Sequence, residues 1–237
     1  MSDITAAFYK SVQRTDDVYS FLFKPAENFG FIPGQFLQVI FDEENRNNKE
    51  LNKYISLSCA PGKEFIEITK KMSGSKFSQR LRSLKQDDKV LINGPMGKCT
   101  FKKDAGKIGF IVGGIGITPV ISILEHVSNT KIECDIHLIY GNWNEKQIAF
   151  KSDMDLWEQG AVNKLKVTHV IAEPDPEDGV FIKGFITDEI VKKYMPDYKE
   201  RMMCIFGPPK MVAAMKEICI NIGCSKDKIE SESFIGY

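Results

Sequence analysis

The sequence predicts two units of different class: an antiparallel β-barrel, then an α/β domain built on a five-stranded parallel sheet. Three observations carry this expectation. Residues 1–101 break into short β-rich segments punctuated by turn residues, with a single amphipathic helical stretch among them. Beyond residues 101–107, apolar strands alternate with helical segments. The chain has 237 residues, enough for two modest domains, each with its own core.

In the first half, "VYSFLFKP" (18–25), "GQFLQVIF" (34–41), "YISLSCA" (54–60), "FIEITKK" (65–71) and "DKVLINGP" (88–95) are rich in β-branched and aromatic residues. "SKFSQRLRSL" (75–84) spaces Phe77, Leu81 and Leu84 as one face of a helix. Many short strands with one helix suggest a barrel. "EENRNNKE" (43–50) is a polar loop. The second half opens with the apolar strand "IGFIVGG" (108–114) and a helix over 118–128. Strands at 135–141, 165–172 and 202–208 then alternate with helices at 149–159, 187–195 and 210–223. Continuous apolar strands separated by helices belong to a parallel sheet covered on both faces. The expected domains are 1–102 and 103–237.

Composition narrows the functional classes. Lys plus Arg is 32 and Asp plus Glu is 32, so no global field attracts nucleic acid or an anionic membrane. The apolar run 108–124 is broken by Gly and Pro and is too short to span a bilayer. The start "MSDITAAFYKS" lacks the pattern of an export signal, which leaves the cytoplasm as the expected compartment. None of the six cysteines forms a C-x-x-C pair, and His126, His137 and His169 are isolated, so no metal or iron–sulfur site is expected.

Chemistry first shows in "IVGGIGITPV" (111–120). Gly114 and Gly116 supply the first two glycines of a dinucleotide loop, but Pro119 stands at the third and no acid closes the next strand. Proline is well tolerated in the first turn of a helix. A glycine turn entering a helix through Thr118 and Pro119 still offers backbone N–H groups to a pyrophosphate.

With Gly113, this loop resembles the G-G-x-G-x-[AT]-P element of the ferredoxin–NADP reductase superfamily of flavoproteins. Seven further stretches follow that family's order: "PGQF" (33–36), "KYISLSCAP" (53–61), "GSKFSQRL" (74–81), "GPMGKCTF" (94–101), "YGN" (140–142), "FGPPKMV" (206–212) and the tail "ESFIGY" (232–237). The resemblance implies an FAD-binding barrel, an NAD(P)-binding α/β domain and a tail that covers the flavin. Ser56 takes the place of the hydroxyl near flavin N5. Lys53 replaces the family's arginine as a point charge without the bidentate fork. Ile55 stands where the family has tyrosine; either aromatic support is missing there, or a slipped register lets Tyr54 supply it.

By the same resemblance, Thr69 and Lys70 fall at the isoalloxazine edge. Gly74, Lys76, Phe77 and Ser78 open the helix that receives the FAD phosphates. Gly113, Gly114, Gly116, Thr118 and Pro119 face the NAD(P) pyrophosphate, and Asn142 closes the neighbouring strand. Phe206, Gly207 and Pro208 lie at the nicotinamide end, with Phe206 replacing a family cysteine. Glu232 and Phe234 match the closing acid and aromatic, with Ser56 the expected catalytic set, and Tyr237 extends the tail over the flavin. Trp143, rather than arginine, follows "YGN", which leans away from strict NADPH specificity; Lys146, Lys151 and Lys210 are the substitutes available.

The implied activity is hydride transfer between NAD(P)H and FAD, with single electrons passed to a separate carrier: ferredoxin, flavodoxin or an oxygenase component. The alternative is a flavin-binding electron-transfer or regulatory subunit whose nicotinamide site has weakened, a reading supported by Lys53, Ile55 and Phe206.

Overall fold

The longest strand of the first unit is one its sequence conceals. In the computed structural model, which describes residues 2–160, 164–175 and 181–234, β1 runs over Ser2–Gln13. Its buried positions Ile4, Ala6 and Phe8 alternate with exposed ones, but Ala6 is a weak strand former and a bulge between Phe8 and Lys10 interrupts the period. Around it lie β2 (Val18–Pro25), β3 (Phe36–Ile40), β4 (Asn52–Ser56), β5 (Ile66–Lys71) and β6 (Lys89–Met96), in the order β4-β3-β6-β1-β2-β5. Every pairing is antiparallel. An isolated bridge from Leu57 to Ile68 links the segments that follow β4 and lie in β5, bringing the two edges together.

Helix α1 (Lys76–Ser83) caps this barrel by driving Phe77 and Leu81, one turn apart, into its core. Phe77 is fully buried, its ring 5.3 Å from that of Phe41. Its side chain is therefore a core group, and only its backbone is left for the ligand role the sequence suggested. A polar seam crosses the barrel wall: Thr69 Oγ1 meets Ser20 Oγ at 2.8 Å and Ser58 Oγ at 2.7 Å. Arg14 ties that seam to Ser20 and Glu67 at 2.8 and 3.0 Å. Each buried hydroxyl of this seam thus has a partner.

The second unit is a parallel sheet of β7 (Lys107–Gly113), β8 (Asp135–Asn142), β9 (Lys164–Ile171), β10 (Ile182–Lys183), β11 (Met202–Gly207) and β12 (Ile229–Ser233), ordered β10-β9-β8-β7-β11-β12. Six strands stand where five were expected. β10 is only two residues long, and β12, "IESES", carries too little apolar content to read as a strand. Helices α2 (Thr118–Thr130), α3 (Lys151–Glu158), α4 (Asp188–Tyr194) and α5 (Pro209–Asn221) complete the series. Ile111, Ile139, Met203 and Ile205 pack with Val191, Met195, Val212 and Met215 of α4, its C-cap and α5.

The amino ends of β7 and β8 are pinned by Arg201, only 1% exposed. Its guanidinium donates to Asp197 at 2.6 and 2.9 Å, to Asp135 Oδ1 at 2.6 Å, and to the carbonyls of Ile108 and Asp135 at 3.2 and 2.9 Å. At the end of α5, Gly223 adopts φ +95° and Cys224 N donates to Cys219 O at 2.9 Å, a capping motif in which the side chains at these two positions touch. Burial, and then the neighbouring Cys224 thiol to which it is hydrogen-bonded, push the Cys219 thiol up to about 12.

By contact density the first unit takes in the chain up to Phe101 together with Thr118–His126; the second takes in Lys102–Ile117 and the chain from Val127 onward. The early turns of α2 join the barrel unit through hydrogen bonds. Ser122 Oγ donates to Cys59 O at 2.6 Å, and Glu125 accepts from Ala60 N at 2.6 Å while pairing with Lys63.

Candidate functional site

In the first unit, strand pairing decides which side chains can meet a ligand. Leu37, fully buried in the barrel core, lies opposite Ile55, and Ile55 packs against the same core. Alternation then places Tyr54 and Ser56 on the other face. Tyr54 is 63% exposed and meets Phe36 edge-on at 6.0 Å. Ser56 is 2% exposed, and its Oγ has no hydrogen-bond partner among the described residues. A buried, unpaired hydroxyl is costly unless something else satisfies it. Of the two register alternatives, the aromatic on the Ser56 face is Tyr54, and Ile55 is a core residue.

Two lysines stand close by. Burial, and then the charge of Lys53, hold the Lys70 ammonium below its ordinary value. The Thr69 hydroxyl, by contrast, is committed to the seam with Ser20 and Ser58.

At the start of α1, Ser75 is the N-cap and accepts from Ser78 N at 3.3 Å. Ser73, Ser75 and Ser78 form a hydroxyl cluster with separations of 3.1 to 3.3 Å. Ser73 escaped the sequence reading, although "SGSKFS" holds three serines in six residues. A Cβ on Gly74 would meet nothing within 4 Å, so its backbone faces open space. Lys76 Nζ pairs with Glu50 at 2.6 Å on the surface.

In the second unit, the glycines after β7 have different duties. Gly114 has φ +51° with nothing within 4 Å of its Cβ position, so it needs glycine's freedom and leaves its backbone open. Tyr140 holds the turn in place by donating to Gly114 O at 3.0 Å. A Cβ on Gly116 would lie 2.8 Å from Gly207 N and from the Phe206 carbonyl, so Gly116 permits the turn to cross the end of β11. Gly113 lies against Met211 Sδ, with no room for a side chain. The turn Gly114–Ile117 runs into α2, with Pro119 in its first turn and no side-chain cap at Ile117. Thr118 is buried. Asn142, also buried, closes β8.

Phe206 is fully buried in a ring series, 6.4 Å from Phe110 and 6.4 Å from Phe234. It is a packing residue of the sheet face, whereas Pro208, just beyond Gly207, is exposed. Phe234 N donates to Gly207 O at 3.0 Å, which docks the start of the tail. Glu232 sits opposite Phe206 in the β11–β12 ladder. Its Oε2 is buried without a partner, and burial pushes the carboxyl up to about 7. Tyr237 lies outside the described residues.

Two family models match the chain: the oxidoreductase FAD-binding domain over residues 8–101 and the oxidoreductase NAD-binding domain over residues 110–217. NADH-cytochrome b5 reductase 1 of Scheffersomyces stipitis is 30% identical over 225 residues, spanning 92% of this chain and 77% of that one. The protein of the same name from Laccaria bicolor is 32% identical over 207 residues, spanning 84% and 66%. Among solved structures, the cytochrome b5 reductase domain of Ulva prolifera nitrate reductase superposes with a TM-score of 0.85 at 19% identity, covering 98% of this chain and 97% of that one. Amycolatopsis cytochrome P450 reductase GcoB gives 0.85 at 20% identity, covering 98% and 70%. With both halves matched in the expected order, the chain belongs to the ferredoxin–NADP reductase superfamily of FAD- and NAD(P)-binding flavoprotein oxidoreductases.

Proposed function

We propose that this protein oxidises a reduced nicotinamide nucleotide through its FAD and delivers the electrons to a small haem protein of the cytochrome b5 type. The observation that carries the reading is Ser56: a buried hydroxyl with no partner, on the same strand face as the exposed ring of Tyr54. That pair fits an isoalloxazine, which would rest against Tyr54 and take the Ser56 hydroxyl at N5. Bound flavin supplies the conversion of a two-electron hydride into single electrons. The protein's part is to hold, orient and shield.

Lys53 and Lys70 would neutralise the anionic portions of the dinucleotide, and Ser73, Gly74, Ser75 and Ser78 would receive its phosphates at the start of α1. The open Gly114 backbone and the uncapped start of α2 would take the nicotinamide pyrophosphate. Glu232, its carboxyl pushed up to about 7 by burial, would hold a proton at Oε2 opposite Phe206 in the β11–β12 ladder. The carrier is inferred from the names of the relatives, which favour a b5-type haem over ferredoxin or flavodoxin.

Anaerobic stopped-flow absorbance of the FAD-loaded protein with NADH and with NADPH tests the first half. Bleaching of the flavin band within seconds is expected. An unchanged spectrum after minutes with both overturns the reading and leaves a flavin-binding electron-transfer subunit. Adding cytochrome b5, ferredoxin or flavodoxin to the reduced enzyme tests the second half, with fastest reoxidation by cytochrome b5 expected.

A further inference from the structure

The far end of α5 carries two thiols that no step of the proposed hydride transfer uses. Cys219 is the third residue from the end of the helix, and Cys224 is the third beyond it. Ten residues separate Cys219 from Pro209 at the start of α5, ~15 Å along its axis, so the pair is remote from Gly207.

The backbone brings the two sulfurs together. Cys224 N donates to Cys219 O at 2.9 Å and Gly223 N to Ile220 O at 3.0 Å, the two bonds of a Schellman cap, with Gly223 at φ +95°. With standard bond lengths, the first of these keeps the two α-carbons within ~6.8 Å, the reach of a disulfide. Such caps usually close with an apolar contact between the side chains at these positions. Here both are cysteines, hydrogen-bonded to one another.

The two thiols are not equivalent. Cys219 is fully buried, whereas Cys224 is 6% exposed. Cys219 S–H donates and Cys224 Sγ accepts, because their contact favours the protonated form of the first and the thiolate of the second. Burial raises the Cys224 thiol, but the bond from Cys219 and then the Lys199 ammonium oppose it. Lys199 Nζ lies 3.5 Å from where a Gly223 Cβ would stand, so its charge sits over the turn that carries Cys224. Cys224 Sγ also donates to the Tyr198 carbonyl at 3.9 Å. The sulfur nearer the surface, beside a cation, is the one equipped to attack an oxidant.

We propose that Cys219 and Cys224 are a peroxide-sensitive dithiol that closes reversibly to a disulfide across the end of α5. Cys224, as thiolate, attacks one oxygen of hydrogen peroxide. The O–O bond breaks, hydroxide leaves and takes a proton to become water, and Cys224 is oxidised to a sulfenic acid. The Cys219 sulfur gives up its proton and displaces the hydroxyl from Cys224, forming the S–S bond and a second water. Two thiols and one peroxide thus yield one disulfide and two waters. The bond fixes the last turn of α5 to the segment leading into β12. Nothing in this chemistry depends on flavin or nicotinamide.

Trypsin cuts after Lys216 and Lys226, so a single peptide, Glu217–Lys226, holds both cysteines and no other. The protein is reduced, freed of reductant, exposed to hydrogen peroxide, alkylated with iodoacetamide in denaturant and digested without reduction. Mass spectrometry should find this peptide two hydrogens lighter than its dithiol form and unalkylated, and dithiothreitol should return both thiols. In C219A, dimedone should tag Cys224 as the trapped sulfenic acid. K199M should slow closure about threefold by removing the charge that favours the thiolate. The wild-type peptide mass decides the matter whatever the stability of the variants. Two alkylated cysteines after peroxide that fully oxidises free glutathione, irreversible sulfinic acid at Cys224, or a dimedone tag on Cys219 in C224A with none on Cys224 in C219A would overturn the proposal.

Discussion

A Cβ on Gly116 would stand 2.8 Å from the backbone nitrogen of Gly207, so the turn after β7 and the end of β11 touch main chain to main chain. Gly116→Ala must push one of them aside and should destabilise the protein by ~2 kcal/mol or more, by analogy with overpacked cores. Gly114→Ala meets open space instead and incurs only the strain of φ +51°, ~1 kcal/mol. Its larger effect should be on nucleotide affinity. Urea unfolding and nucleotide titration of the two variants should therefore rank them in opposite order.

Ser56→Ala separates the hydroxyl's ligand role from its structural one. With no partner in the protein, the hydroxyl contributes nothing to packing that methyl cannot replace, so the FAD-free variant should be as stable as wild type or about 1 kcal/mol more so. Flavin reduction by NADH should slow by about tenfold to a hundredfold, the lower range of a positioned proton donor. A destabilised apoprotein with unchanged reduction would contradict this assignment.

Glu232 should impose a pH dependence with an apparent pKa about 7, because burial favours its neutral form. The folded value lies above the unfolded one, so the folded state binds the extra proton. Its contribution to stability is fully present below the unfolded carboxyl pKa and is lost as pH rises through about 7. Glu232→Gln removes that slope. Unfolding midpoints and flavin-reduction rates measured from pH 5 to 9 should both flatten in the variant.

Arg201→Met leaves Asp135 and Asp197 facing each other at the base of the sheet, and should destabilise the protein by ~3–5 kcal/mol. Burial alone would raise the Asp197 carboxyl, but hydrogen bonds from Arg201 and Lys107 hold it below its ordinary value. The stability this gives is present above the unfolded carboxylate pKa and is lost as pH falls through the depressed folded value. The variant should lose that acid-side protection, seen as unfolding that begins at higher pH in an acid titration followed by circular dichroism.

The sequence made the class of both units legible because strand and helix periods are written into apolar spacing: "IGFIVGG" could only be an interior strand, and Phe77 with Leu81 only a core-facing turn. It also showed the glycine turn, since Gly114 and Gly116 bracket the start of a helix. What it concealed has a common physical basis. β1 owes its place to pairing with two neighbours rather than to strand propensity, and β12 gains its ladder from β11 despite the residues Glu-Ser-Glu-Ser. The Tyr54–Ile55 ambiguity was a question of register, and a one-residue slip exchanges the two faces of a strand. Only the pairing of Leu37 with Ile55 resolves it. Phe206 was read from its neighbours in the motif, whereas its position is decided by Phe110 and Phe234 on either side.

The packing beneath the glycine turn bears on the entropy of association. Gly113 lies on Met211, Gly116 on the crossing backbone, and Tyr140 grips the carbonyl of Gly114. The turn is held from below by the protein itself, so it has its shape before any nucleotide arrives. Association then need not freeze a wandering loop, and affinity reflects the contacts formed with little subtracted for ordering.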